Sequence, residues 1–172
     1  MNIVVANRQR TRKINSRLLK EITEALLADL NVEEAELGIS LVAEREMTLI
    51  NETFLRHEGP TDVITFDYEL GVPPSGGAAL KRRNRLKPEL QALHGEIFIC
   101  VDEAILQANK FKTKWQAEIV RYIVHGVLHL LGHDDRQAAA RRRMKCEENR
   151  RLTGLSRKFS LAQIGGASKL RA

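Results

Sequence analysis

The sequence predicts one α+β domain with an α/β-like layout: a small mixed sheet of about four strands packed with about five helices, one of them a central helix that carries histidines. Three observations lead there. A length of 172 residues suits one domain, and a content of 43% hydrophobic and 29% charged residues excludes a collagen-like, low-complexity or wholly disordered chain. In the first half, short β-rich runs alternate with segments of helical period. The second half is helical almost throughout.

Residues 14–30 place Ile14, Leu18, Leu19, Ile22, Ala25 and Leu26 at helical spacing, with Asn15 or Ser16 as the cap. Residues 37–43 alternate and predict a strand. Residues 44–55 return to helical spacing through Met47, Ile50 and Leu55, and stop before Gly59-Pro60, which cannot continue a helix. Two short β-rich runs, 63–66 and 97–101, flank a Gly- and Pro-rich stretch at 71–88, which predicts a long surface loop with a basic tip at Lys81, Arg82, Arg83, Arg85 and Lys87. Asp102 can cap a helix over 102–111, Thr113 one over 113–131, and a further helix covers 137–152 before Gly154. The domain is expected to span 1–152, with 153–172 a basic, loosely packed tail that docks at most around Phe159 and Leu161.

Apolar runs are short and interrupted, well below the roughly 18 residues of a membrane span. The opening MNIVVANRQRTRK lacks the apolar core of a secretory signal. A cytoplasmic chain that engages no membrane is the expectation. The two cysteines, Cys100 and Cys146, are too few for a disulfide framework and are expected as packing thiols. The net charge of +6 is unevenly spread. From residue 136 onward eleven Lys/Arg face only Glu147 and Glu148, a net of +9, which leaves residues 1–135 at −3. A basic end of this kind suits a polyanion such as RNA, or a solvated helix face.

The segment IVRYIVHGVLHLLGHDD, residues 119–135, carries the chemistry. His125 and His129 stand at i and i+4, so their imidazoles share one helix face, a spacing that lets two nitrogens reach one metal ion. Gly132 can turn the chain back toward that face. Glycine at +7 and a ligand at +10 from the first histidine are the offsets of the metzincin pattern, and they fall on Gly132 and Asp135. Asp135 is therefore the expected third ligand, with His133 as the alternative; zinc accepts an aspartate oxygen at about 2.0–2.2 Å. Residue 126 is glycine where metalloproteases carry their general-base glutamate, which argues against peptide hydrolysis.

The motif HGVLHLLGHDD resembles the HGxLHLxGxDH signature of the YbeY family of bacterial metal-dependent endoribonucleases of rRNA maturation. Leu49-Ile50-Asn51 through Arg56, followed by Pro60-Thr61-Asp62-Val63-Ile64-Thr65-Phe66, resembles that family's LNxxxR and TDVLSF block, and Gly95-Glu96-Ile97 its G-D-I strand entry. The resemblance covers about residues 37–152. His133 stands where the family has Tyr, and Asp135 where it has its third His. The resemblance implies a mixed sheet with surrounding helices, one Zn2+ per chain at the His helix, and cleavage of single-stranded RNA near the 3′ end of small-subunit rRNA, in maturation and ribosome quality control. The family's functional arginine falls on Arg56, a guanidinium that would clamp a phosphate. Asp62 and Glu96 are candidate outer partners of the ligands, and the basic residues at 81–87 would attract RNA without reading its sequence. The implied partners are rRNA and the small ribosomal subunit, with ribosomal proteins or a GTPase beside them. Two other readings are a ribosome-associated RNA-binding factor with a structural metal and, more weakly, a metalloprotease.

Overall fold

The computed structural model describes residues 1–68 and 92–166. Four strands, β1 (Asn2–Asn7), β2 (Glu34–Val42), β3 (Val63–Asp67) and β4 (Ala92–Cys100), form one sheet in the order β1-β2-β4-β3. β1, β2 and β4 run parallel, and β3 pairs antiparallel with β4, Val63 opposite Ile99 and Asp67 opposite Gly95. The mixed sheet is as expected. β1 is not among the runs that the sequence singles out, because only Ile3 of its six residues is buried and Val4 is 58% exposed. Its strand character comes from pairing with β2, which supplies the hydrogen-bond ladder that so short a run cannot supply alone.

Among the described residues there are five α-helices: α1 (Ser16–Asp29), α2 (Glu44–Ile50), α3 (Val101–Phe111), α4 (Trp115–Leu130) and α5 (Ala138–Lys158). The Asn15 side chain accepts from Leu18 N–H and caps α1. A π-helical turn, Asn51–Leu55, prolongs α2 and ends at Arg56. Strand side chains alternate between the two faces of the sheet. Leu37, Ile39, Leu41, Ile97 and Ile99 join the main core with α1, α3, α4 and α5. Ile64, Phe66 and Cys100 face the other way and form a smaller cluster with Met47 and Ile50 of α2.

Helix α4 is the centre of the main core, with Ile119, Val120, Ile123, Val124, Val127 and Leu128 all at 0% exposure. It lies close on β4. A Cβ at Gly126 would stand 2.8 Å from Ile97 Cδ1 and 2.9 Å from Ile97 Cγ2, so only glycine lets the helix approach the sheet this closely. That contact fixes how far His125 and His129 stand from the sheet.

Two expectations change at the C-terminus. The last helix does not stop at residue 152 but runs through Gly154 to Lys158, and a 3-10 turn, Leu161–Gly165, follows. Glycine in a helix costs about 1 kcal/mol relative to alanine, yet burial of Leu155 at 0% exposure outweighs it at roughly 2 kcal/mol. Ile164 is also fully buried, and its carbonyl accepts from Asn15 N–H at 2.8 Å. The packed chain therefore reaches Gly166 and is not limited to residues 1–152. Cys100 is buried as expected, whereas Cys146 is exposed on α5. The stretch 71–88, with Lys81, Arg82, Arg83, Arg85 and Lys87, lies outside the described residues, as do residues 167–172.

Candidate metal centre

His125 and His129 project from the last two turns of α4, one helical turn apart. Their Nε2 atoms stand 2.9 Å apart, with ring centroids at 4.4 Å. The helix ends at Leu130, and Gly132 adopts φ 89, the left-handed conformation that glycine accepts without strain. The reversal sends His133 N–H back to Leu128 O at 3.0 Å and Gly132 N–H to His129 O at 2.8 Å. It returns Asp135 to the helix face, with Oδ2 3.9 Å from His129 Nε2. One ligand atom from each of His125, His129 and Asp135 lies within 4.8 Å of the others. Among the described residues this is the group of three or more His, Cys, Asp or Glu side chains that could hold a metal ion, and His133 is not part of it. The His133 contribution is its backbone carbonyl, 3.1 Å from His129 Nδ1.

Each imidazole has an acceptor on its outer nitrogen. Glu148 Oε1 of α5 stands 2.6 Å from His125 Nδ1, and the His133 carbonyl serves His129 Nδ1. With both Nδ1 atoms donating, both Nε2 lone pairs turn toward the same point. Two acceptor nitrogens 2.9 Å apart repel unless a proton or a cation lies between them. Tetrahedral zinc, with Zn–N near 2.0–2.1 Å, separates two imidazole nitrogens by about 3.3 Å, and a carboxylate is the third donor. The residues present fit such an ion. The side chains are partly open, at 25% for His125, 27% for His129 and 41% for Asp135, so another molecule can reach them.

Electrostatics separate the two histidines. Burial lowers His125, but the hydrogen bond and charge of Glu148, with the further carboxylates Asp62 and Asp135, outweigh it and hold His125 above the ordinary histidine value. Burial also lowers His129, and the neighbouring His125 lowers it further, so it falls below that value despite Asp135.

The remaining expected residues are distributed around this centre. Asp62 caps the entry of β3, its Oδ1 accepting from Val63 N–H at 2.9 Å and Thr61 Oγ1 at 3.2 Å, and its charge is felt by His125. Glu96 does not join the ligands. Because Ile97 packs under Gly126, the preceding side chain must point to the opposite face, where Glu96 accepts from Ser40 Oγ at 3.1 Å and Tyr68 Oη at 3.0 Å. Arg56 is exposed at the end of the π-helical turn, in the left-handed conformation at φ 56, ψ 30, and belongs to the segment that packs on the α2 side of the sheet. Asn51, 4% exposed, ties that segment together by donating Nδ2–H to Gly59 O at 2.8 Å. Sequence reasoning gives Asn51 no role of its own, and none to Glu148 or to Arg141, whose Nε donates to Asp135 O at 3.1 Å. Asn51 has a local signal, an amide just before a Gly-Pro loop. Glu148 has none, since its contact spans 23 positions.

Residues 4–156 match the family model described as Endoribonuclease YbeY. Among curated relatives carrying that description, the Chlorobium luteolum protein is 31% identical over 157 residues, 91% of this chain and 100% of the relative. The Salinibacter ruber protein is 27% identical over 145 residues, 84% of this chain and 86% of the relative. The solution structure of a Thermotoga maritima protein superposes with a TM-score of 0.60 over 99% of both chains at 18% identity, a likeness of fold. With the family model spanning residues 4–156 and a curated relative 31% identical matched over its whole length, this chain belongs to the endoribonuclease YbeY family.

Proposed function

We propose that the protein is a metal-dependent endoribonuclease that cleaves single-stranded RNA during rRNA maturation, at the 3′ end of small-subunit rRNA, and takes part in ribosome quality control. The observation that carries this reading is the convergence of two Nε2 atoms at 2.9 Å with the Asp135 carboxylate on a partly open face. One Zn2+ per chain, held by His125, His129 and Asp135, would supply Lewis acidity toward a phosphoryl oxygen and toward water. Asp135 in the place of a third imidazole keeps the donor count and adds a negative charge. Arg56 would bind the scissile phosphate, its guanidinium offsetting charge that develops there. Lys81, Arg82, Arg83, Arg85 and Lys87, together with the outward basic residues of α5, would attract RNA through its backbone, with affinity falling as salt rises. The small ribosomal subunit, ribosomal proteins and a GTPase are the proposed partners, in the cytoplasm.

The test joins metal content to cleavage. Wild type, His129→Ala, Asp135→Ala and His133→Ala are purified, assayed for zinc, and incubated with a single-stranded RNA spanning the small-subunit 3′ end, with and without a chelator. Near one zinc per chain and cleavage in wild type and His133→Ala, both lost in the other two, is the expected pattern. Zinc binding without cleavage would favour an RNA-binding factor with a structural metal. Cleavage that persists in His129→Ala would assign it to a contaminant.

A further inference from the structure

Helix α5 is strongly basic outside, yet it turns an acid inward. Glu148 is 8% exposed, and an acid so buried requires partners for both oxygens. It has them. Oε1 meets His125 Nδ1 at 2.6 Å, and Oε2 lies 3.9 Å from Arg121 Nη1. Arg121 is itself held, its Nη1 donating to Asn149 Oδ1 at 2.7 Å and its Nε 3.5 Å from Glu118 Oε2. Near the start of the same helix, Arg141 Nε donates to the Asp135 carbonyl at 3.1 Å and Arg141 Nη2 to the Arg136 carbonyl at 3.5 Å. One helix thus grips the candidate centre twice, once at a histidine and once at the main chain of the carboxylate.

We propose that α5 positions this centre: Glu148 fixes His125 as the Nδ1–H tautomer with its Nε2 lone pair directed at His129 and Asp135, and Arg141 holds the 135–136 main chain so that the Asp135 carboxylate stays within reach. The proposal rests on the reading that these three side chains hold a metal. Its physical basis is general, since a carboxylate that accepts from the far nitrogen of a ligating imidazole sets the ring orientation and strengthens the ligand. Neither Glu148 nor Arg141 is a ligand or a catalytic residue here; both act through the residues they hold.

The test uses the full chain and two readouts. Zinc affinity is measured by competition with a chromophoric chelator for wild type, Glu148→Gln, Glu148→Ala, Arg141→Ala and, as a control on the same helix, Arg150→Ala. Loss of a supporting hydrogen bond of this kind weakens metal binding about 10–100-fold. That range is expected for Glu148→Ala, with a smaller loss for the isosteric Glu148→Gln, which keeps the proposal testable if the alanine variant fails to fold. Arg150→Ala is expected to match wild type. The second readout is the tautomer of His125 in metal-free protein at pH 8, from long-range 15N–1H couplings. Nδ1–H is expected in wild type and Arg141→Ala, and a mixed tautomer in Glu148→Ala. Folded Glu148 variants that bind zinc like wild type, or His125 as the Nε2–H tautomer in wild type, would overturn the proposal. Absence of zinc binding by wild type would remove the metal centre and the proposal together, and the tautomer readout tells that failure apart from a failed Glu148 contact.

Discussion

Replacing Gly126 by alanine tests the contact that sets the distance of the histidine helix from the sheet. The added Cβ would meet Ile97 Cδ1 at 2.8 Å and Cγ2 at 2.9 Å, short of ordinary carbon contact by roughly 0.7 Å. Ile97 is fully buried, and its β-branched Cγ2 cannot swing aside without leaving its rotamer. Overpacking of this kind costs about 1–3 kcal/mol, while alanine contributes about 1 kcal/mol of helix propensity over glycine. The expected net loss is about 1 kcal/mol, read by urea unfolding followed by circular dichroism and the fluorescence of the single tryptophan, Trp115. A cycle with Ile97→Val sharpens the result. That change alone costs about 0.5–1.5 kcal/mol, but in the Gly126→Ala background it removes one of the clashing atoms, so the double variant should be no less stable than Gly126→Ala. Additivity within about 0.5 kcal/mol, or a Gly126→Ala protein more stable than wild type, would refute the close-approach argument.

Three further outcomes are expected. Burial pushes the Cys100 thiol up to about 11, so in native protein a thiol reagent at pH 8 should titrate the exposed Cys146 and reach Cys100 only after denaturation; the stability tied to the neutral Cys100 is full below about 9 and declines as pH rises toward 11. Ile164→Ala, at a site of 0% exposure, should cost about 2–5 kcal/mol in urea unfolding, where a loosely packed tail would show no change. Asn51→Ala, which removes the buried bond to Gly59 O, should cost about 1–3 kcal/mol and weaken RNA binding through Arg56 without lowering zinc content.

The parts of the site written within one helix and its turn were legible in the sequence. His125, His129, Gly132 and Asp135 are tied by fixed offsets, and the structure closes the loop through the φ 89 of Gly132. Glu148 was not legible, because a basic helix whose acids number two offers no reason to place one inward until its packing against α4 is known. The face that Glu96 occupies was not legible for a related reason: alternation orders a strand's side chains but does not say which set faces the helices, and only the Ile97 contact with Gly126 decides it. The strand Asn2–Asn7 and the buried Leu155 and Ile164 depend on partners distant in the chain, which local periodicity does not record.

The register of the antiparallel pair has a consequence for engineering the chain. Tyr68 N–H donates to His94 O at 3.0 Å, so the pairing of β3 with β4 extends to residue 68. Residues 68 and 92 therefore lie on adjacent antiparallel strands, a geometry that a tight hairpin turn satisfies. A turn of about five residues can therefore join the end of β3 to the start of β4. A shortened protein of this kind keeps both ends of the ladder and the candidate centre on α4. Its RNA affinity, compared with that of wild type, would then test the attraction proposed for Lys81, Arg82, Arg83, Arg85 and Lys87.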